Sequence, residues 1–216
     1  MKYTYWACIK NRFVPLFTVL MLFLGGGATA MAASDGPKDE IKQTVDEIIN
    51  IMTDEKYSTP DMKEERRDLI LEKVNNRFDF YEMSQRTLAR RWRERTTEEK
   101  EQFVELFKQL LEKTYTSKID SYSNEKVLFK KEVIRNDKAL VYSFIQKNEK
   151  EIPIFYKLKN KSGKWMVYDV IIEGVSLVRN YRTEFTQIIS KEDYSGLIKR
   201  MKEKIAQNKE NATDKQ

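Results

Sequence analysis

The sequence predicts an α+β domain, with helices gathered on one face of a four-stranded antiparallel sheet. Three observations carry that reading. Apolar residues recur at helical three- and four-residue steps as far as Tyr115; from Val127 the period changes to two, broken by short polar gaps; and Trp165 to Ile189 passes from a strand pattern through one glycine into an amphipathic helix.

The elements follow in order. Between Lys38 and Tyr57, the residues Ile41, Val45, Ile48, Ile49 and Met52 share one helical face among charges on the others. Pro60 separates this helix from a second, over Asp61 to Phe78, which carries Met62, Leu69, Ile70 and Val74 at looser spacing. Asp79 stands where its carboxylate can accept from the first amides of a third helix, opened by Phe80-Tyr81-Glu82-Met83. Thr96 and Glu99 form a capping box, after which Phe103, Leu106, Phe107, Leu110, Leu111 and Tyr115 hold the helical period. An aromatic stripe of this kind suits a closed core, and periodicity alone does not separate a core from the wall of a pocket.

Val127 to Ile134, Ala139 to Gln146, Ile152 to Lys159 and Lys164 to Ile172 read as strands, separated by Asn136-Asp137, Asn148-Glu149 and Ser162-Gly163. Gaps this short make antiparallel hairpins, because parallel neighbours need long crossovers. Pro153 cannot donate to a ladder, so its strand is expected at an edge or at a bulge. Gly174 then reads as a turn and Ser176 as the N-cap of a helix whose apolar face is Val178, Tyr181, Phe185, Ile188 and Ile189. A last helix over Asp193 to Ile205 precedes a polar tail, 207–216, expected to be disordered.

The N-terminus has the order of a secretory signal peptide: Lys2, Lys10 and Arg12, an apolar run from Phe13 to Leu24, then small residues ending at Ala30. An apolar run of about a dozen residues is short for a membrane span of roughly 20. Residues 1–30 are therefore read as the signal, with cleavage as late as Ala33 an option, and 34–206 as one domain. Cys8, the single cysteine, lies before the apolar run, which argues against a lipoprotein and leaves the cleaved chain without a disulfide. Loss of those three basic residues lowers the formal charge of +6 to +3, which is no nucleic-acid footprint.

The expected mature chain has neither histidine nor cysteine, which excludes His-based triads, thiol nucleophiles and the common zinc sites. Gly174-Val175-Ser176-Leu177-Val178 lacks the second glycine of a nucleophile elbow. Asp169, set in a strand among Tyr168, Val170 and Ile171, is the remaining candidate for a working carboxylate. Its alternative is a structural anchor, to Arg182 or to backbone amides. The run Arg90 to Arg95 is the densest in positive charge, and reads as a solvated helix face or as a contact for anionic headgroups or an acidic partner.

Trp165, Asp169, the Gly174-Val175-Ser176 corner, Asn180-Tyr181-Arg182 and Phe185, preceded by Phe78-Asp79-Phe80, Met83, Leu88, Trp92, Phe103, Phe107, Leu111 and Tyr115, occur here in an ordered set. In these residues the chain resembles the MlaC family, also called the toluene-tolerance Ttg2 family, of periplasmic phospholipid-transport proteins. Family members commonly have glycine after the leucine of the third helix, where this chain has Ala89. The resemblance implies a curved, NTF2-like sheet closed by helices around a deep apolar lipid cavity. It implies a carrier of glycerophospholipid in the periplasm of a Gram-negative bacterium, working between an outer-membrane lipoprotein and porin complex and the MCE-domain protein of an inner-membrane ABC transporter to maintain outer-membrane lipid asymmetry. On that reading the lipid is cargo, and no cofactor, metal ligand or catalytic residue is expected. The lipid-facing residues are expected to be Phe80, Met83, Leu88, Trp92, Phe103, Phe107, Leu110, Leu111, Tyr115, Val178 and Tyr181, joined from the sheet by Leu140, Tyr142 and Phe144 in preference to Val141 and Ile145. The rival readings are a pocket enzyme using Asp169 and a tyrosine, and a periplasmic chaperone or adaptor that binds polypeptide.

Overall fold

The computed structural model describes residues 36–120, 125–147 and 149–213, which belong to one compact unit. The expected signal peptide with Cys8, the turn residue Asn148 and residues 214–216 of the expected tail lie outside them.

Helix α1 (Pro37–Thr53) starts on a proline, which has no amide to leave unsatisfied there. Two short 3-10 turns, Glu55–Tyr57 and Pro60–Met62, lead into α2 (Lys63–Arg77). Asp79 caps α3 (Phe80–Leu88) by accepting from the Glu82 amide at 3.0 Å. A 3-10 stretch, Ala89–Glu94, carries the basic run to α4 (Thr97–Asp120). The capping box there is reciprocal: Thr96 Oγ1 accepts from the Glu99 amide at 3.2 Å, and Glu99 Oε2 accepts from the Thr96 amide at 2.9 Å.

Strands β1 (Lys126–Arg135), β2 (Lys138–Lys147), β3 (Lys150–Lys161), β4 (Lys164–Ile172) and β5 (Val175–Ser176) form an antiparallel meander in chain order. The fifth strand, two residues long, adds to the four that alternation marks. Pro153 does not put β3 at an edge. It lies one residue outside the β3–β4 register, which starts at Ile154 opposite Ile172, so the ladder to β4 asks nothing of its missing amide. The bulge in that pairing falls at Lys157/Leu158 instead.

Helix α5 (Leu177–Thr213) follows the corner. Ser176 Oγ accepts from the Arg179 amide at 3.1 Å, the cap its position predicts. The helix breaks at Asp193, whose φ is +61°, and Asp193 Oδ1 accepts from the Gly196 amide at 3.0 Å to start the second segment. That segment runs to Thr213, past the Ile205 end read from the sequence.

Apolar side chains gather in two cores. The first lies among α3, α4 and α5: Phe103 and Phe107 are fully buried, and Phe185 meets both rings edge-on at 5.7 Å. The second joins α1 to one face of the sheet through Ile41, Ala139, Val141, Leu158, Trp165 and Val167. Arg77 ties this layer together, pairing with Glu40 and donating to Thr44 Oγ1 at 2.9 Å and to the Trp165 carbonyl at 2.8 Å. Phe78 packs against both cores, and its bridge to Val167 lays the start of α3 along the edge of β4 opposite β3.

Candidate functional site

The two cores do not close on each other. Between them is an apolar hollow of about 260 Å³, walled by Leu71 and Val74 of α2, Phe78 before α3, Phe80 and Met83 of α3, Leu111, Glu112 and Tyr115 of α4, Ile154 and Tyr156 of β3, Val170 and Ile172 of β4, and Leu177 at the start of α5. A second hollow of about 710 Å³ adjoins it, reaching Ile48 and Met52 of α1, Ile152, Glu173, Val175 and Asn180. The two share Tyr115, Ile154, Ile172 and Leu177. Together they form a groove of ligand size running from the helical core to the edge of the sheet.

Its electrostatics follow from burial. Glu112 is the one charged residue in the wall of the smaller hollow, and desolvation raises its pKa above the usual carboxylate range, with Lys108 pulling the other way. Burial likewise raises the Tyr115 hydroxyl and pushes Tyr156 up to about 12, so both stay neutral. The wall thus offers neutral contact area and little fixed charge. A third cleft, of about 410 Å³, is lined by Arg91, Arg95, Glu94, Glu99 and Asp193 and shares no residue with either hollow.

Of the residues expected to face a ligand, Phe80, Met83, Leu111 and Tyr115 line the hollow. Leu88, Trp92, Phe103, Phe107, Leu110, Val178 and Tyr181 do not. They fill the helical core, where Phe107 and Tyr181 stack edge-on at 5.2 Å, because the three helices close directly on one another at that level. No residue of β2 lines either hollow, and the face that meets α1 is the one with Val141. Val141 is fully buried and Leu140, Tyr142 and Phe144 point away from the helices. The reason is steric: α1 approaches the sheet closely through Ile41, so small residues, Ala139, Val141 and Ser143, occupy the inner face and the bulky ones the outer. Sequence reasoning missed most of the wall. Ile152, Ile154 and Tyr156 alternate along β3, and Ile48 and Met52 extend the apolar face of α1 beyond what its buried contacts use, which is the signal that could have found them.

Asp169 lies outside the hollow and is fully occupied. Its Oδ2 accepts from Lys157 Nζ at 2.9 Å and from Ser176 Oγ at 2.7 Å, and its Oδ1 accepts from the Val178 amide at 3.1 Å. It is an anchor, held by Lys157 and not by Arg182, which donates instead to the Arg86 carbonyl at 2.8 Å. In the basic run, Arg90 and Arg93 are exposed, while Arg95 lies over the Tyr194 ring at 4.4 Å and pairs with Glu99 at 3.3 Å.

The fold has a counterpart among solved structures. A phospholipid-binding protein from Ralstonia solanacearum, determined in complex with a phospholipid, superposes with a TM-score of 0.73 at 25% identity, covering 81% of this chain and 99% of that one. The intermembrane phospholipid transport system binding protein MlaC of Haemophilus influenzae is 28% identical over 128 residues, 56% of this chain and 60% of that protein, so the aligned part spans less than two thirds of the relative. The family model for the MlaC protein matches residues 42–203, from within α1 to within α5, with every element between them. By that match, with the fold to support it, the chain belongs to the MlaC family.

Proposed function

We propose that this protein binds a glycerophospholipid by its acyl chains and carries it across the periplasm, between an outer-membrane complex and an inner-membrane complex built on an ABC transporter and an MCE-domain protein, without catalysis. The observation that carries the reading is the apolar groove between two otherwise tight cores, whose inner hollow has Glu112 as its single charged residue. The phospholipid named with the Ralstonia structure and the transport system named with the Haemophilus relative point the same way.

The energetics make such a groove necessary. At about 0.8 kcal/mol per buried methylene, two tails of about 30 methylenes together would cost on the order of 25 kcal/mol if left in water. A carrier must therefore enclose them. Because the lipid leaves one apolar medium and enters another, the exchange is close to neutral overall, and direction has to come from a partner or an energy source. Asp169, the carboxylate on which the pocket-enzyme reading relied, is spent on the Ser176 corner and lies away from the groove.

The test is transfer between membranes. Vesicles holding a self-quenched fluorescent phospholipid are mixed with unlabelled vesicles, and the protein is added below the lipid concentration. Dequenching that scales with protein concentration supports the carrier. A rate equal to the spontaneous one, with lipid and protein both intact, rejects it.

A further inference from the structure

The outer face of the sheet has a chemistry separate from that of the groove. The register places Tyr142 between Lys131 of β1 and Phe155 of β3, and Phe144 between Leu128 and Pro153. None of these lines either hollow, and α1, the helix that packs on β1 and β2, does so from the opposite face. The rings make a continuous floor, with Tyr142 and Phe155 centroids 4.7 Å apart and Phe144 and Phe155 5.8 Å apart. Two lysines lie on it: Lys131 Nζ is 4.5 Å from the Tyr142 centroid, and Lys130 Nζ is 4.2 Å from that of Phe144.

The charge on this face is one-sided. Lys131 and Lys138 are exposed and form no ion pair among the described residues. Of the acidic groups that the register puts here, Glu151 is taken by Lys130 at 2.8 Å, and Asp169 is buried and held by Lys157. What remains is surplus positive charge on flexible stems above aromatic rings.

Such a surface complements one of dense negative charge and no fixed geometry. Lysine gives a compact point charge on a mobile chain, whereas recognition of one defined anionic group favours the planar fork of arginine. Tyrosine and phenylalanine with neighbouring lysines suit the headgroup level of a bilayer, where one end of the ring is apolar and the other wet. We propose that the outer face of β1 to β3 docks the protein on an anionic phospholipid bilayer, with Tyr142, Phe144 and Phe155 at headgroup depth and Lys130, Lys131 and Lys138 among the phosphates. The docking face and the groove lie on opposite sides of the sheet, so the proposal holds whatever occupies the groove.

The experiment is co-sedimentation of the purified protein with vesicles of phosphatidylcholine alone and of phosphatidylcholine mixed with phosphatidylglycerol. Binding should follow the phosphatidylglycerol content and fall several-fold from low to high salt, a readout that needs no variant. The double variant Lys131→Glu with Lys138→Glu should lose about tenfold or more in affinity, since each basic residue near a charged membrane strengthens binding several-fold. Its melting temperature and its lipid uptake from detergent micelles should match those of the unmodified protein, which separates loss of docking from loss of cargo. Equal binding to both vesicle types overturns the proposal. So does a double variant that sediments like the unmodified protein, or a loss that appears instead in Arg90→Glu with Arg93→Glu on the helical side. Unchanged vesicle binding with lost binding to a membrane protein complex would make the face a protein-docking surface and would also overturn it.

Discussion

Asp169 in the last long strand holds the amide of Val178 at 3.1 Å, nine positions further along the chain. With Ser176 Oγ and Lys157 Nζ on its other oxygen, this buried carboxylate joins two strands to the first turn of α5. Asp169→Ala should destabilise the fold by about 2–4 kcal/mol, since it strands a lysine and frees a helix-start amide. Asp169→Asn should cost less, because the amide keeps the shape and one acceptor. Urea unfolding measures both, and folded Asp169→Asn should carry as much lipid as the unmodified protein. Normal stability with lost lipid would place Asp169 in the binding site.

Core and wall should respond in opposite ways to the same truncation. Phe107 is fully buried among Phe103, Tyr181 and Phe185, so Phe107→Ala should cost about 3–5 kcal/mol. Met52 borders the larger hollow and is only partly buried, so Met52→Ala should cost under about 1 kcal/mol while weakening lipid uptake. Equal stability losses at the two sites would contradict the division into core and wall.

The sheet faces separate by charge insertion. Ile154 borders both hollows, and a carboxylate there would meet the tails without a partner, so Ile154→Asp should lower uptake from detergent-solubilised lipid by at least about tenfold. Tyr142→Asp, on the outer face, should leave that uptake unchanged.

Glu112 makes a pH-dependent contribution. Burial raises its pKa in the folded protein, so the folded state holds this proton more tightly than the unfolded chain does. Stability from this group is therefore full below the ordinary carboxylate value and is lost as pH rises through the raised one. Glu112→Gln should be more stable than the unmodified protein at neutral pH, and the two should converge in acid. Urea midpoints across that range test it, and parallel curves would contradict it.

Ala89 closes α3 with φ +51° and ψ −121°, a region that favours glycine. Ala89→Gly should raise stability by about 1 kcal/mol by removing the Cβ strain. A loss on thermal or urea unfolding would show that the backbone there is unstrained.

Local signals in the sequence were the readable ones. The caps at Asp79, Thr96 and Ser176 and the two-residue hairpin gaps depend on neighbours a few positions away, and each appears where its residues place it. The groove depends on how distant elements fail to meet. Phe103 and Phe107 share a helical stripe with Leu111 and Tyr115, yet the first pair is sealed by Phe185 while the second pair faces the hollow. Along β2 the outer residues Leu140, Tyr142 and Phe144 are larger and more aromatic than the inner Ala139, Val141 and Ser143, so apolarity along the strand does not tell which face α1 covers. Only the position of α1 decides it.

The carrier reading stands or falls on what the groove contains. Native mass spectrometry of the protein purified from cells without added lipid should show, beside the bare chain, a species heavier by the mass of a glycerophospholipid, released intact on collisional activation. A spectrum of bare chain alone, unchanged after incubation with phospholipid vesicles, would contradict it.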